Sequence, residues 1–214
     1  MNPPATWIGT DESGKGDYFG PLVIAGVCLD RKIGTELSAL GIKDSKRLSD
    51  SRILLLAEQV RKLALASDVV VILPERYNEL YLKMKNLNRL LAWGHARVIE
   101  NILERKECSF ALTDQFGDRT LVEKALMTHG RKITLEQRPK AEEDIAVASA
   151  SVIARGEFLK GIEKLSKREG ISLPKGASEA VVRAGKTLFS QKGLEGLKRT
   201  AKMHFKTTQA VLGE

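Results

Sequence analysis

The chain has 214 residues, 43% of them hydrophobic and 29% charged, with a formal net charge of +8. This is enough for one sizeable domain, or one domain with an appendage, and the mixture is ordinary for a soluble globular protein. No apolar run approaches a membrane span, and Met1-Asn2-Pro3-Pro4 has neither the basic nor the apolar region of a secretory signal, so a cytoplasmic protein without membrane attachment is expected.

Taken in order, the chain opens with a short apolar lead-in, Trp7-Ile8, followed by two adjacent acids, Asp11 and Glu12. A Gly14-Lys15-Gly16 turn and an apolar run from Pro21 to Leu29 complete a strand, tight turn, strand pattern. Neighbouring side chains on a strand point to opposite faces, so Asp11 and Glu12 cannot both enter one core. Two glycines beside a lysine let backbone amides come close to an anion. The spacing of Gly14, Gly16 and Gly20 is one residue too long for a dinucleotide fingerprint, and no helical pattern follows it.

Arg31 to Ile42 reads as a connection with a short helix, and a polar patch, Asp44-Ser45-Lys46, follows. Ser49-Asp50 caps a helix whose apolar positions are Ile53, Leu56, Val60 and Leu63. Asp68 to Leu73 predicts a buried strand, which Pro74 ends. A short helix is predicted over Tyr77 to Met84 and a longer one over Leu87 to Arg105, with Leu91, His95, Val98 and Ile102 on one face. On such a face His95 reads as a packed, hydrogen-bonded histidine rather than a ligand. Cys108 to Thr113 is a strand ending in Asp114, Arg119 to His129 a helix, and Ile133-Thr134-Leu135 a strand. Cys28 and Cys108 sit in apolar runs and read as buried thiols. Lys140-Ala141-Glu142-Glu143-Asp144 leads into a helix of small residues from Ile145 to about Lys167, able to pack closely on a sheet. After a loop at 170–176, two basic helices are expected, over about Ser178–Gln191 and Leu194–Val211. Strands interspersed with helices predict an α/β fold around a mixed sheet.

Four acids stand where elements begin or end: Asp11, Glu12, Asp114 and Glu142. Such positions can converge at one edge of a sheet. Clustered carboxylates repel one another, and divalent cations relieve the repulsion. All-oxygen ligands suit Mg²⁺ or Mn²⁺, and two such ions roughly 3.5–4 Å apart can clamp an in-line phosphoryl displacement. The Cys/His spacing of a zinc site and the G-x-S-x-G nucleophile elbow are both absent.

These residues resemble the ribonuclease HIII branch of the type 2 ribonucleases H. The resemblance rests on Gly9 to Pro21, Lys43-Asp44-Ser45-Lys46, Asn86-Leu87-Asn88, Leu91 to Arg97, Thr113 to Phe116, Lys140-Ala141-Glu142, Ala148 to Arg155, Leu173 to Ala177 and Lys202 to Phe205. It extends over nearly the whole chain. Gly14-Lys15-Gly16 and Glu142 separate it from ribonuclease HII, which typically has Gly-Arg-Gly and an aspartate there. The resemblance implies a ribonuclease H-like fold, a central mixed sheet flanked by helices with a helical C-terminal region, as one catalytic domain over 1–214 whose basic C-terminal part starts near 170. It implies cleavage of the RNA strand of RNA/DNA hybrids, leaving 5′-phosphate and 3′-hydroxyl ends, by two divalent ions on Asp11, Glu12, Asp114 and Glu142. It also implies that Gly14-Lys15-Gly16 senses ribose 2′-hydroxyls. Ribonuclease HIII usually carries an N-terminal TATA-box-binding-protein-like domain; the motif here begins within ten residues of Met1, so this sequence is expected to be the catalytic domain without it, either as a trimmed piece or as a natural short form.

From Arg155 onward the chain holds 13 Lys/Arg against 6 Asp/Glu, which points to a polyanion. Lys46 and Lys175 are candidate phosphate contacts. Lys198, Lys202 and Lys206, four residues apart, are expected along one face of the final helix. A monomer is expected. The rival readings are ribonuclease HII-like nicking at single ribonucleotides, against which no tyrosine lies in the C-terminal part, and a hybrid-binding protein with a dead site.

Overall fold

The computed structural model describes residues 4–42, 48–118 and 120–213; the patch containing Lys46 lies outside the described residues. The period-2 and β-branched runs form strands β1 (Thr6–Ser13), β2 (Leu22–Asp30), β3 (Ala66–Ile72), β4 (Phe110–Asp114) and β5 (Thr134–Arg138). Among the described residues they make one mixed sheet in the order β3-β2-β1-β4-β5. β1 runs parallel to β4, and β4 to β5. β2 is buried from Leu22 to Leu29, as befits an inner strand whose side chains are apolar on both faces. β3 differs from expectation: it is an edge strand, half-buried over most of its length, with Val71 exposed. A β-branched run encodes strand geometry, but not a position inside the sheet.

The helices are α1 (Arg31–Ala39), α2 (Asp50–Leu63), α3 (Pro74–Met84), α4 (Leu87–Leu103), α5 (Thr120–Ala125), α6 (Ile145–Glu169), α7 (Glu179–Thr200) and α8 (Thr207–Leu212). Their starts follow local chemistry. Ser49 accepts a hydrogen bond from the Arg52 amide at 3.3 Å, and Asn86 accepts one from the Arg89 amide at 3.2 Å. Pro74 stands in the first turn of α3, where no N–H is needed.

The chain divides into two compact units, residues 1–12, 24–70 and 86–156 in the first, and 13–23, 71–85 and 157–214 in the second. In the first, a Cβ on Gly26 would press into Val98 and Ile102 of α4 and approach Thr10. A Cβ on Gly9 would lie 2.2 Å from the α6 backbone at Ala146 and Val147. Since Gly9 and Thr10 face opposite ways, α4 and α6 cover opposite faces of β1. The small-residue start of α6 therefore does pack closely on the sheet, and Gly9 is required for that approach.

In the second unit, the connection from β1 to β2 is longer than the expected tight turn. It runs over residues 14–21 and is pinned to C-terminal segments, with a β-bridge between Phe19 and Ala201. That bridge explains a further difference. α7 ends at Thr200 because Ala201 is extended, after an interruption at Gly193. The expected helix over 194–211 is thus two pieces, and Lys198, Lys202 and Lys206 do not share a helical face.

Candidate active site

The first unit builds the acid site at the C-terminal ends of β1 and β4. Their parallel register pairs Thr10 with Thr113, so Asp11 and Asp114 stand one residue beyond, on adjoining strands. The Asp11 side chain keeps some solvent contact, but surrounding protein desolvates its carboxyl. That burial, with the Glu12 and Asp114 carboxylates beside it, pushes its pKa up to about 7. A hydrogen bond to the Ser151 side chain on α6 works in the opposite direction.

Glu12, on the other face of β1, lies 3.3 Å from Nε2 of the fully buried His95. His95 is a packed, hydrogen-bonded histidine, as its place on the apolar face of α4 predicted. Asp114 accepts a hydrogen bond from the Ala141 amide at 2.9 Å, which ties the end of β4 to the residue preceding Glu142. Residues 141–143 form a single 3-10 turn before α6, rather than the first turn of the helix itself.

The three consecutive acids there have different surroundings. Asp144 accepts from Trp7 Nε1 at 3.0 Å and from the Ala146 amide at 2.8 Å, so it caps α6. Glu143 is exposed and Glu142 half-buried. The structure thus commits Asp144 elsewhere and leaves Glu142 as the acid adjoining the Asp114 tether.

A donor set of carboxylate oxygens fits hard divalent ions, and a cation would relieve the repulsion that raises Asp11. Among the described residues, no three His, Cys, Asp or Glu side chains are drawn together as closely as in a formed metal cage. Like charges oppose such closure. Two cavities, of about 670 Å³ beside Cys108 and His129 in the first unit and about 570 Å³ beside Tyr81 and His204 in the second, contain none of the four acids.

The second unit holds the glycine-lysine loop. The Tyr18 amide donates to the Gly176 carbonyl at 2.9 Å, and the Gly176 amide donates to Asp17 Oδ1 at 2.6 Å. Gly14-Lys15-Gly16 and Lys175 are thereby parts of one hydrogen-bonded assembly. Gly14 needs to be glycine, with φ +84° and the Pro21 carbonyl 2.2 Å from where a Cβ would be. At Gly16 a Cβ would meet nothing within 4 Å.

Lys202 is the clearest departure from expectation. It is fully buried, and its Nζ donates to the carbonyls of Asp17 and Gly20, each at 2.8 Å. It is a strut inside the loop, not a surface cation, because the chain leaves the helix at Ala201 and turns this side chain inward. Lys198 and Lys206 are exposed, Lys198 paired with Glu195 at 2.7 Å. Sequence pattern assigns no role to Ser151, gives His95 its burial but not its contact with Glu12, and places Lys202 on the surface rather than inside the loop. One signal was available: the Thr-Asp pair recurs at both strand ends, Thr10-Asp11 and Thr113-Asp114.

The family model described as Ribonuclease HII matches residues 8–208. A protein named ribonuclease HIII from Protochlamydia amoebophila (strain UWE25) is 49% identical over 207 residues, covering 97% of this chain and 68% of that protein. Ribonuclease HIII of Chlamydia pneumoniae is 46% identical over 204 residues, covering 94% of this chain and 68% of that one. The crystal structure of Bst-RNase HIII in complex with Mn²⁺ superposes with a TM-score of 0.90 at 34% identity, over 97% of this chain and 69% of that one. With the model spanning almost all of it and such relatives alongside, the chain belongs to the ribonuclease HII family of type 2 ribonucleases H, on its ribonuclease HIII branch.

Proposed function

We propose that the chain is an endoribonuclease that hydrolyses the RNA strand of RNA/DNA hybrids with two divalent ions, Mg²⁺ or Mn²⁺, held by Asp11, Glu12, Asp114 and Glu142, leaving 5′-phosphate and 3′-hydroxyl ends. The observation that carries this reading is the desolvated Asp11 carboxyl between Glu12 and Asp114 at the ends of two adjoining parallel strands. Divalent ions bound there supply Lewis acidity at the attacking water and at the leaving 3′-oxygen.

The chain's own residues do the positioning. Asp11, with carboxylates on both sides, is the acid best placed to be shared by both ions. Ser151 and the Ala141 amide hold Asp11 and Asp114 in orientation. Gly16 has no internal steric or conformational need to be glycine, which supports a close approach of the substrate's ribose to its backbone. Lys15, Lys175, Lys198 and Lys206 serve as sequence-independent phosphate contacts, and Lys46 joins them on its sequence match alone. Lys202 does not belong to that set. The reading takes 1–214 as one catalytic domain with a helical basic part from about 170, working as a cytoplasmic monomer. Among the described residues no helix is long and apolar enough to cross a membrane.

The test is cleavage of a labelled continuous hybrid under Mg²⁺ or Mn²⁺. Asp11→Asn is expected to lower turnover roughly 1,000-fold or more, about 4 kcal/mol of transition-state stabilisation, while hybrid affinity changes little. Near-normal turnover of that variant would sink the metal reading. A duplex with one ribonucleotide, cut in preference to the continuous hybrid, would assign ribonuclease HII-like activity. Binding of the hybrid by the wild type with no cleavage under either ion would assign a dead site.

A further inference from the structure

His95 stands on α4 against the ends of β1 and β4, fully buried, with its ring stacked on Phe116 at 5.0 Å between centroids and 19° between planes. Its Nδ1 lies 2.8 Å from Thr10 Oγ1 and 3.3 Å from Thr113 Oγ1, both on buried residues. Those threonines are the registered pair of the two parallel strands, and each immediately precedes an acid of the site. On its other side the ring presents Nε2 to Glu12 Oε2 at 3.3 Å. One imidazole therefore touches both strands and a third acid.

The hydrogens on this network follow from what each group can do. An ionised carboxylate only accepts, so the ring nitrogen facing Glu12 carries the hydrogen. In a neutral ring Nδ1 is then an acceptor, and the nearer hydroxyl, Thr10, is its donor. The Thr113 hydroxyl has a second acceptor in the Asp114 carbonyl at 3.4 Å.

We propose that His95 is a positioning residue for hydrolysis: Thr10 and Thr113 fix its tautomer and orientation, and the ring in turn holds the Glu12 carboxylate and the spacing of the two strand ends that carry Asp11 and Asp114. A buried ring wedged in this way restricts Glu12 to few rotamers before any ion arrives, which lowers the entropy lost on ion binding. Outer partners of metal-holding carboxylates have this effect generally, and their loss costs about 10- to 100-fold in metal affinity or activity. The inference rests on the two-ion reading of the four acids, so its test must separate the two.

The experiment is calorimetric titration of Mn²⁺ into the full chain, alongside the Mn²⁺ concentration giving half-maximal cleavage and the thermal midpoint. The proteins are the wild type, Asp11→Asn, His95→Gln, Thr10→Val and Thr10→Ser. Loss of the wild-type binding isotherm in Asp11→Asn upholds the two-ion reading; no Asp11-dependent binding overturns that reading and this inference together. Given binding, His95→Gln and Thr10→Val are expected to weaken Mn²⁺ affinity about 10-fold or more and to raise half-saturation in parallel, with a smaller fall in turnover at saturating ion. Thr10→Ser, which restores the hydroxyl, returns affinity to within about 3-fold of wild type. Thr10→Val preserves the β-branched shape, so it keeps the test decisive where His95→Gln does not fold. Wild-type Mn²⁺ affinity in folded Thr10→Val or His95→Gln overturns the inference alone.

Discussion

Lys202→Met isolates the buried strut beneath the glycine-lysine loop. The native Nζ donates to the Asp17 and Gly20 carbonyls at 2.8 Å each, from a fully buried side chain. Methionine fills much of the same volume but offers no donor, so one buried carbonyl, of Gly20, and one half-buried carbonyl, of Asp17, lose this partner. Each such loss costs about 1–3 kcal/mol, and removing the penalty of burying a charge offsets part of it, leaving an expected net loss of about 2–4 kcal/mol. In a chain of this size about 1 kcal/mol corresponds to a shift of roughly 2–4 °C, so the thermal midpoint should fall by roughly 5–15 °C. The deficit should also depend on pH. Burial lowers the Lys202 pKa to about 7 from 10.5, so between those values the unfolded chain binds more protons than the folded one. Wild-type stability therefore gains with rising pH across that window, while the variant lacks the gain, and the gap between them widens. Urea unfolding at pH 6.5 and 9.5, with the exposed Lys206→Met as a control expected within about 0.5 kcal/mol of wild type, reads both effects. A Lys202→Met protein as stable as the control at both pH values, with a reduced salt slope for hybrid binding, would refute the buried strut and return Lys202 to the surface.

Glu142→Gln should cost far more cleavage than Glu143→Gln or Asp144→Asn, measured as single-turnover rates on one hybrid; equal losses in all three would overturn the choice of Glu142. Asp144→Ala should instead lower stability by about 1–2 kcal/mol through the lost cap of α6, read by urea unfolding. Glu100 is buried, which pulls its pKa up, but the amides of His129 and Gly130 and the His129 ring outweigh burial and hold the carboxyl below its usual range. Its contribution is therefore present above the unfolded pKa and lost as pH falls through the folded one. Glu100→Gln should cost about 2–3 kcal/mol at pH 7 and progressively less in acid, by the same unfolding assay. Neutralising Lys15, Lys175 and Lys206 together should flatten the slope of log hybrid affinity against log salt, by up to about one unit for each phosphate no longer neutralised, with little change in turnover at saturating hybrid; an unchanged slope would move the substrate path elsewhere.

Local pattern alone determined the order of strands and helices, because period-2 and helical spacing and the caps at Ser49 and Asn86 act over a few residues. It also placed Asp11 and Asp114 at strand ends, and the stretch from Gly9 to Pro21 carried the family. What it left open were the choices made by partners distant in the chain. The spacing of Lys198, Lys202 and Lys206 describes a helical face only if the helix continues, and the bridge between Phe19 and Ala201 decides that it does not. Glu142, Glu143 and Asp144 look alike in sequence until Trp7, 137 residues before Asp144, takes the last of them. The valine-rich run of β3 says strand, while only the strand order makes it an edge. His95 shows both halves: its helical face predicted a buried ring, and only the packing of α4 across β1 and β4 determined that the ring meets Glu12. Periodicity encodes which face of an element is buried; which hydrogen-bond partner waits there is set by long-range packing that no local window contains.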